Sequence, residues 1–315
     1  MTHVEFHGTR HDVRDGESVL DALLRGGIDV PYSCKAGACR SCLMRATEPA
    51  TVPAPAQAGL KDTWKAAGYF LACQCRPDTD IVAGPVGHDT RLAAVITELT
   101  RLSDSVLRVQ LTPADRFEYH AGQFVTIFRA DGLARSYSVA SLPAEGTLEL
   151  HVRVLPNGRM SRWLADESPI GVEVQIQGPA GECFYLSGRE DQPLLLAGTG
   201  TGLAPLLGVA RDALHQGHRA PIHLVHGAAN RHGLYHQDLL AGLSANHGNL
   251  NVWQTTLEAD GPLDKAVLGR FPSLTGYRVF LCGDPTLVQL LRKRAYLAGA
   301  MLDDIHADAF LPSAS

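Results

Sequence analysis

Pro31-Tyr32-Ser33-Cys34-Lys35-Ala36-Gly37-Ala38-Cys39-Arg40-Ser41-Cys42 carries three cysteines in one short loop, and Cys73 follows after a gap of thirty residues. A compact triple with one distant partner is the spacing of a [2Fe–2S] cluster site. Thiolates are the soft donors such a cluster takes. Gly37, between the small Ala36 and Ala38, lets backbone N–H groups approach the inorganic sulfides, where hydrogen bonds favour the more negative reduced state. Structural zinc sites usually show two short cysteine pairs instead.

The loop and the later Phe70-Leu71-Ala72-Cys73-Gln74 resemble the plant-type ferredoxins over about the first ninety residues. Cys73 and Cys75 compete for the fourth ligand position, and the resemblance favours Cys73. It implies a β-grasp-like ferredoxin domain with Cys34, Cys39, Cys42 and Cys73 as metal ligands. Lys35, Arg40 and Arg45 lie in or just after the loop. They read as solvated surface charge, or as a docking patch for an acidic partner.

Outward from this module, 315 residues are too many for one ferredoxin domain. The composition, 45% hydrophobic and 19% charged, is that of an ordinary globular protein. There is no apolar run of membrane-spanning length and no signal-peptide pattern. Seven cysteines, four of them assigned to a cluster, argue against a disulfide framework. A cytoplasmic location is expected. The net charge of −5 without a basic run disfavours nucleic acid as a partner.

Val4-Glu5-Phe6 and a turn at Asp15-Gly16 predict a hairpin, and Ser18 predicts the cap of a helix over 19–24 that ends at Gly26-Gly27. Pro49 to Gln57 reads as an irregular segment. Gly84-Pro85-Val86-Gly87-His88 reads as a linker. Short alternating strands at 106–111, 123–128 and 148–154, with turns between them, predict an antiparallel barrel. From Pro193 the pattern changes to apolar strand, loop and helix, which predicts a parallel α/β sheet. The expected domains are 1–87, 91–190 and 191–315.

Arg135-Ser136-Tyr137-Ser138 follows Gly122-Gln123-Phe124 and resembles the flavin site of the ferredoxin–NADP reductase superfamily. Arg135 can neutralise a phosphate, and Tyr137 offers a flat ring and a hydroxyl. The resemblance places Ser138 near flavin N5. His151-Val152-Arg153 is a strand, and Gly158-Arg159-Met160-Ser161 is expected to open a helix at Trp163. Small residues at a helix start present N–H groups to a phosphate, and in the family this region binds the FAD pyrophosphate. Gly198-Thr199-Gly200-Thr201-Gly202 follows an apolar strand and offers a tight backbone turn to a nicotinamide dinucleotide. His226-Gly227, not an acidic residue, closes the second strand, which disfavours a general Rossmann dehydrogenase. Cys282-Gly283-Asp284-Pro285 resembles the family segment whose cysteine lies beside the nicotinamide. Phe310 in Asp308-Ala309-Phe310 matches the aromatic tail of relatives loosely. The resemblance implies catalytic roles for Ser138 and Cys282.

Over almost the whole chain these parts resemble the reductase components of bacterial multicomponent oxygenases. The resemblance implies an enzyme that oxidises NADH and passes electrons through FAD and the [2Fe–2S] cluster to a terminal oxygenase. That partner would be a ring-hydroxylating dioxygenase, a di-iron monooxygenase or a haem-thiolate monooxygenase. The alternative is an electron-transfer subunit of a stable dehydrogenase or deoxysugar dehydrase complex. The chain is expected to be a monomer in isolation. The segment after the third α/β strand lacks the Ser-Arg pair of NADP users and carries Glu258, which favours NADH. Arg231 is the competing signal.

Overall fold

The computed structural model describes residues 2–32, 34–37, 42–85, 91–166 and 168–310, and the chain divides into two units, residues 1–89 and 90–315. In the first unit, β1 (Thr2–Phe6) and β2 (Thr9–Val13) pair antiparallel with Phe6 opposite Thr9. That register puts the hairpin turn at His7-Gly8, not at the expected Asp15-Gly16. His7 and Gly8 both have positive φ, the requirement of a two-residue turn that matches strand twist. Asp15-Gly16 instead turns the chain out of β2 towards α1 (Val19–Arg25). Ser18 caps α1 as expected, its Oγ accepting the Asp21 N–H at 3.1 Å. Val19, Leu20, Ala22 and Leu23 are the buried face of α1.

The unit continues through β3 (Leu43–Ala46), α2 (Asp62–Ala66), β4 (Tyr69–Leu71) and β5 (Ile81–Pro85). Its sheet runs β2-β1-β5-β3-β4, with β1 and β5 parallel and the other pairs antiparallel. The segment read as irregular forms two 3₁₀ turns, Pro49–Thr51 and Ala54–Gln57. Proline in each first turn fixes φ and gives up no needed donor.

The second unit begins with a six-stranded antiparallel sheet. Its strands are β6 (Leu92–Arg101), β7 (Val106–Pro113), β8 (Phe124–Phe128), β9 (Ala134–Ser138), β10 (Leu148–Arg153) and β11 (Glu173–Ala180). The order is β10-β7-β6-β11-β8-β9, and a bridge between Val139 and Leu150 brings β9 back to β10. Closure makes a barrel filled by Ile96, Val109, Leu111, Val125, Ile127 and Val152. Its helix, α3 (Arg159–Ala165), begins four residues before the expected Trp163, because Gly158 is already the cap.

The chain then builds a wholly parallel sheet, β14-β13-β12-β15-β16. Its strands are β12 (Leu194–Thr199), β13 (Ile222–Ala228), β14 (Leu250–Thr256), β15 (Arg278–Gly283) and β16 (Ile305–Ala309). The helices are α4 (Leu203–His215), α5 (Gln237–Asn246), the short α6 (Leu257–Asp260), α7 (Leu263–Arg270) and α8 (Pro285–Leu297). One buried cluster lies around α4 and another around α7 and α8, so apolar side chains cover both faces of the sheet. Strand order reverses between β12 and β15, and ligands of open α/β sheets bind outside the strand ends at such a point. No described helix is long and apolar enough to cross a membrane.

Candidate functional site

In the first unit three of the four expected ligands are described; Cys39 lies outside the described residues, as does Arg40 of the loop's basic trio. Cys42, just before β3, and Cys73, just after β4, are buried, and burial raises the Cys42 thiol to about 11. Ala72 N–H donates to the Cys42 carbonyl, which ties the two segments together. Cys34 is exposed on its loop, and its sulfur accepts the Ala36 N–H at 3.3 Å. Gln74 Nε2 lies 3.4 Å from Cys73 Sγ and also donates to the Lys35 carbonyl, linking the loop to the fourth cysteine. A Cβ on Gly37 would sit 3.1 Å from Gln74 Cγ, at a positive φ. A soft thiol set, a backbone donor on sulfur and a glycine cradle fit an iron–sulfur cluster. Cys75 is fully buried, and desolvation pushes its thiol up to about 12. Lys35 is paired with Asp21 at 2.7 Å, and Arg45 Nε donates to the Ala67 carbonyl at 3.0 Å.

In the second unit the barrel and the parallel sheet meet at the carboxyl ends of β9, β15 and β16. Ser138, the last residue of β9, donates its hydroxyl to Asp308 Oδ2 on β16 at 3.1 Å. Asp308 is the register partner of Cys282 on β15. Desolvation raises the Asp308 carboxyl to about 6, partly opposed by the Ser138 hydrogen bond. Cys282 is buried beside the Cys183 thiol, and burial raises its pKa. Phe310 follows β16, and its N–H donates to the Gly283 carbonyl at 2.8 Å. The two expected catalytic residues therefore lie in one locality, with Asp308 between them. In the sequence Asp308 stands two residues before the aromatic Phe310 with no motif of its own to mark it.

Other expected flavin residues divide by task. Arg135 Nη1 donates to the Ala134 carbonyl, and Ser136 Oγ lies 2.9 Å from Thr126 Oγ1. Tyr137 packs against the barrel core, and burial raises its phenol well above the ordinary value. Val152 and Met160 fill that core, leaving only their backbone for a ligand. Arg153 is exposed at the end of β10. Ser161 is a loop stitch: its hydroxyl accepts the Leu155 N–H at 3.1 Å and donates to the Gly158 carbonyl. A Cβ on Gly158 would sit 2.3 Å from that hydroxyl. The α3 entrance thus presents backbone, not side chain, which suits a phosphate cradle.

His151 points into a separate polar cluster. Its Nδ1 is 3.0 Å from the Tyr235 hydroxyl, and its Nε2 is 3.0 Å from Glu149 Oε1 and 3.3 Å from His236 Nε2. Burial lowers both histidines, His236 to about 4, and the Glu149 carboxylate sits below its ordinary range because its polar neighbours, His151 first, together outweigh the cost of burial.

At the glycine turn, β12 ends in Thr199 and a 3₁₀ turn over Gly200–Gly202 leads into α4. Added Cβ atoms on Gly198 and Gly202 would each lie 2.4 Å from the Cys282 carbonyl oxygen. These glycines therefore let the turn press against β15, which places it next to the cysteine. His226, buried and neutral at the end of β13, lies with Nε2 3.1 Å from the Gly200 carbonyl and braces the turn. Thr199 Oγ1 accepts the Asp284 N–H at 3.4 Å, and Asp284 Oδ1 caps α8 by accepting the Leu287 N–H at 3.0 Å. Thr201 lies in the turn itself.

A cavity of about 300 Å³ opens beyond β14, lined by Arg231, Gln237, Gln254, Thr256 and Asp260 among others. Asp260 Oδ2 accepts the Thr256 N–H at 2.8 Å. Glu258 is tied to the Arg231 segment, its N–H donating to the Ala229 carbonyl. Arg231 thus shares its cavity with a carboxylate.

Comparison with known proteins gives three family matches in order along the chain. A 2Fe-2S iron-sulfur cluster binding domain matches residues 3–78, an oxidoreductase FAD-binding domain residues 93–185, and an oxidoreductase NAD-binding domain residues 196–293. The reductase component of the naphthalene 1,2-dioxygenase/salicylate 5-hydroxylase systems of a Ralstonia species is 32% identical, over 95% of this chain and 94% of that protein. The reductase subunit of an aromatic O-demethylase from an Amycolatopsis species is 33% identical, over 98% of each chain. Among solved structures, an Amycolatopsis cytochrome P450 reductase is 30% identical, with a TM-score of 0.68 over 99% of each chain.

Proposed function

We propose that this chain, which belongs to the [2Fe–2S] flavoprotein reductases that form the reductase components of oxygenase systems, passes electrons from NADH to a terminal oxygenase. Its cofactors are FAD and a [2Fe–2S] cluster, and its oxidised substrate is a nicotinamide dinucleotide. Bound FAD supplies the conversion of a two-electron hydride into single electrons, and the cluster, with a potential near roughly −400 mV, supplies the one-electron outlet.

The observation that carries the reading is the meeting of Ser138, Asp308 and Cys282. A barrel strand and two strands of the parallel sheet bring their ends to one place, where a hydride donor and acceptor can be held face to face. Ser138 holds a hydroxyl proton there, directed at Asp308. The buried Cys282 and the aromatic Phe310 exclude water, and a dry site protects a transferring hydride. The glycine turn gives the dinucleotide pyrophosphate a backbone cradle, and Arg135 and the α3 entrance give the FAD phosphates theirs. Cys34, Cys39, Cys42 and Cys73 hold the cluster in a β-grasp-like domain spanning about 1–87, followed by a flavin domain over 91–190 and a nicotinamide domain over 191–315. A carboxylate, Asp260, lining the same cavity as Arg231 supports NADH over NADPH. The relatives' names support an oxygenase acceptor, a dioxygenase or a cytochrome P450, and a monomeric cytoplasmic reductase fits that role.

The test separates the two units. A chain beginning at Arg91 should bind FAD and reduce ferricyanide with NADH at the full-length rate, yet lose most cytochrome c reduction. Equal cytochrome c rates for both chains would show that the outlet is the flavin and not the cluster.

A further inference from the structure

The structure assigns a divalent transition-metal site to Glu149, His151 and His236, at the seam between the barrel and the parallel sheet. Glu149 and His151 are alternate residues of β10 and so project from one face. His236 precedes α5 and is held in the left-handed backbone region, at φ 58° and ψ 29°. Its ring is brought to 4.9 Å from that of His151, centre to centre. All three side chains are buried or nearly so.

The three ligand atoms are Glu149 Oε1, His151 Nε2 and His236 Nε2. Their separations are 3.0, 3.3 and 4.0 Å. A zinc ion bound at about 2.0–2.1 Å in tetrahedral geometry holds its ligand atoms about 3.3 Å apart. Two of the three separations lie within about 0.3 Å of that edge, and the third, Glu149 to His236 at 4.0 Å, needs a small side-chain movement to close. Hydrogen bonds join Glu149 to His151 and His151 to His236 but leave Glu149 and His236 4.0 Å apart, whereas one dication that displaces the bridging protons serves all three atoms. The other nitrogen of His151 faces the Tyr235 hydroxyl at 3.0 Å. A partner on the second nitrogen is what fixes the ring of a metal-bound histidine. Two histidines and one carboxylate form a ligand set of zinc and related first-row ions. Because the ligands come from β10 and from the start of α5, the ion pins the flavin-side barrel to the nicotinamide-side sheet.

The experiment uses the full-length protein with FAD and cluster in place, stripped with EDTA, dialysed free of chelator and titrated with zinc chloride. Equilibrium dialysis with elemental analysis reads zinc and iron together. One zinc per chain is expected with two irons retained. His236→Asn, which keeps a residue tolerant of the left-handed backbone, and Glu149→Gln should each weaken zinc binding at least tenfold at unchanged FAD content. His247→Ala, at the far end of α5, should bind zinc as the wild type does. X-ray absorption at the zinc edge should report nitrogen and oxygen neighbours near 2.0–2.1 Å. Sulfur neighbours near 2.3 Å would assign the ion to cysteines. That result, an absence of stoichiometric zinc, or equal affinity in His236→Asn overturns the assignment.

Discussion

The cluster unit and the flavin–nicotinamide unit reach function by opposite routes. In the first, three of the four cysteines expected to hold the cluster fall within nine consecutive residues, and the fourth enters through a short strand paired with β3. In the second, Ser138 and Asp308 are hydrogen-bonded across 170 residues of chain. Chemistry that sits in one loop is written as spacing. Chemistry assembled from strand ends is written as topology, and it depends on a whole barrel and a whole sheet being in place. The first kind should break at single residues, and the second should degrade in coupled steps.

The largest effect expected is on the cluster. Cys34→Ser, Cys42→Ser or Cys73→Ser should abolish its visible absorption and lower cytochrome c reduction by more than about 100-fold, with FAD still bound. Cys75→Ser should keep the cluster, since Gln74 ties Cys73, not Cys75, to the loop through the Lys35 carbonyl. A cluster kept in Cys73→Ser but lost in Cys75→Ser would reverse the ligand assignment.

Next come Ser138→Ala and Asp308→Asn. Each should lower kcat for NADH–ferricyanide reduction by roughly 10–100-fold. Because the two groups are bonded to each other, the double variant should cost little more than either single one. Additive losses would mean that they act separately, and the seam would then be a coincidence of packing.

Nucleotide choice should follow at about tenfold. NADH should exceed NADPH in kcat/KM by that factor or more, about 1.4 kcal/mol, and Asp260→Asn should narrow the gap. Equal specificity constants in the wild type would make Arg231 a working phosphate site.

The last effect concerns pH and touches stability, not turnover. The Asp308 carboxyl is raised from 3.8 to about 6 in the folded protein. The folded state therefore binds a proton more tightly than the unfolded one. The stability this confers is fully present below pH 4 and is lost as the pH climbs through about 6. Measured by urea unfolding, the wild type should lose roughly 2 kcal/mol relative to Asp308→Asn between pH 4 and pH 7. A constant difference across that range would mean that the carboxyl titrates normally.

The sequence by itself determined what local rules govern. The cysteine intervals named a cluster, Ser18 announced a helix, and the change from period-two strands to strand–loop–helix units separated a barrel from a parallel sheet. These features depend on neighbours a few residues away, so spacing carries them. Only the tertiary structure decided the rest. The hairpin turn fell at His7-Gly8 because strand register, not turn propensity, set it. The strand β16, Ile-His-Ala-Asp-Ala, carries almost no apolar pattern of its own. It is a strand because β15 offers it a parallel edge, and that pairing sets Asp308 beside Cys282 and against Ser138. Glu149, His151 and His236 converge for the same reason: barrel closure and sheet order bring together residues whose separation in the chain says nothing of their distance in space.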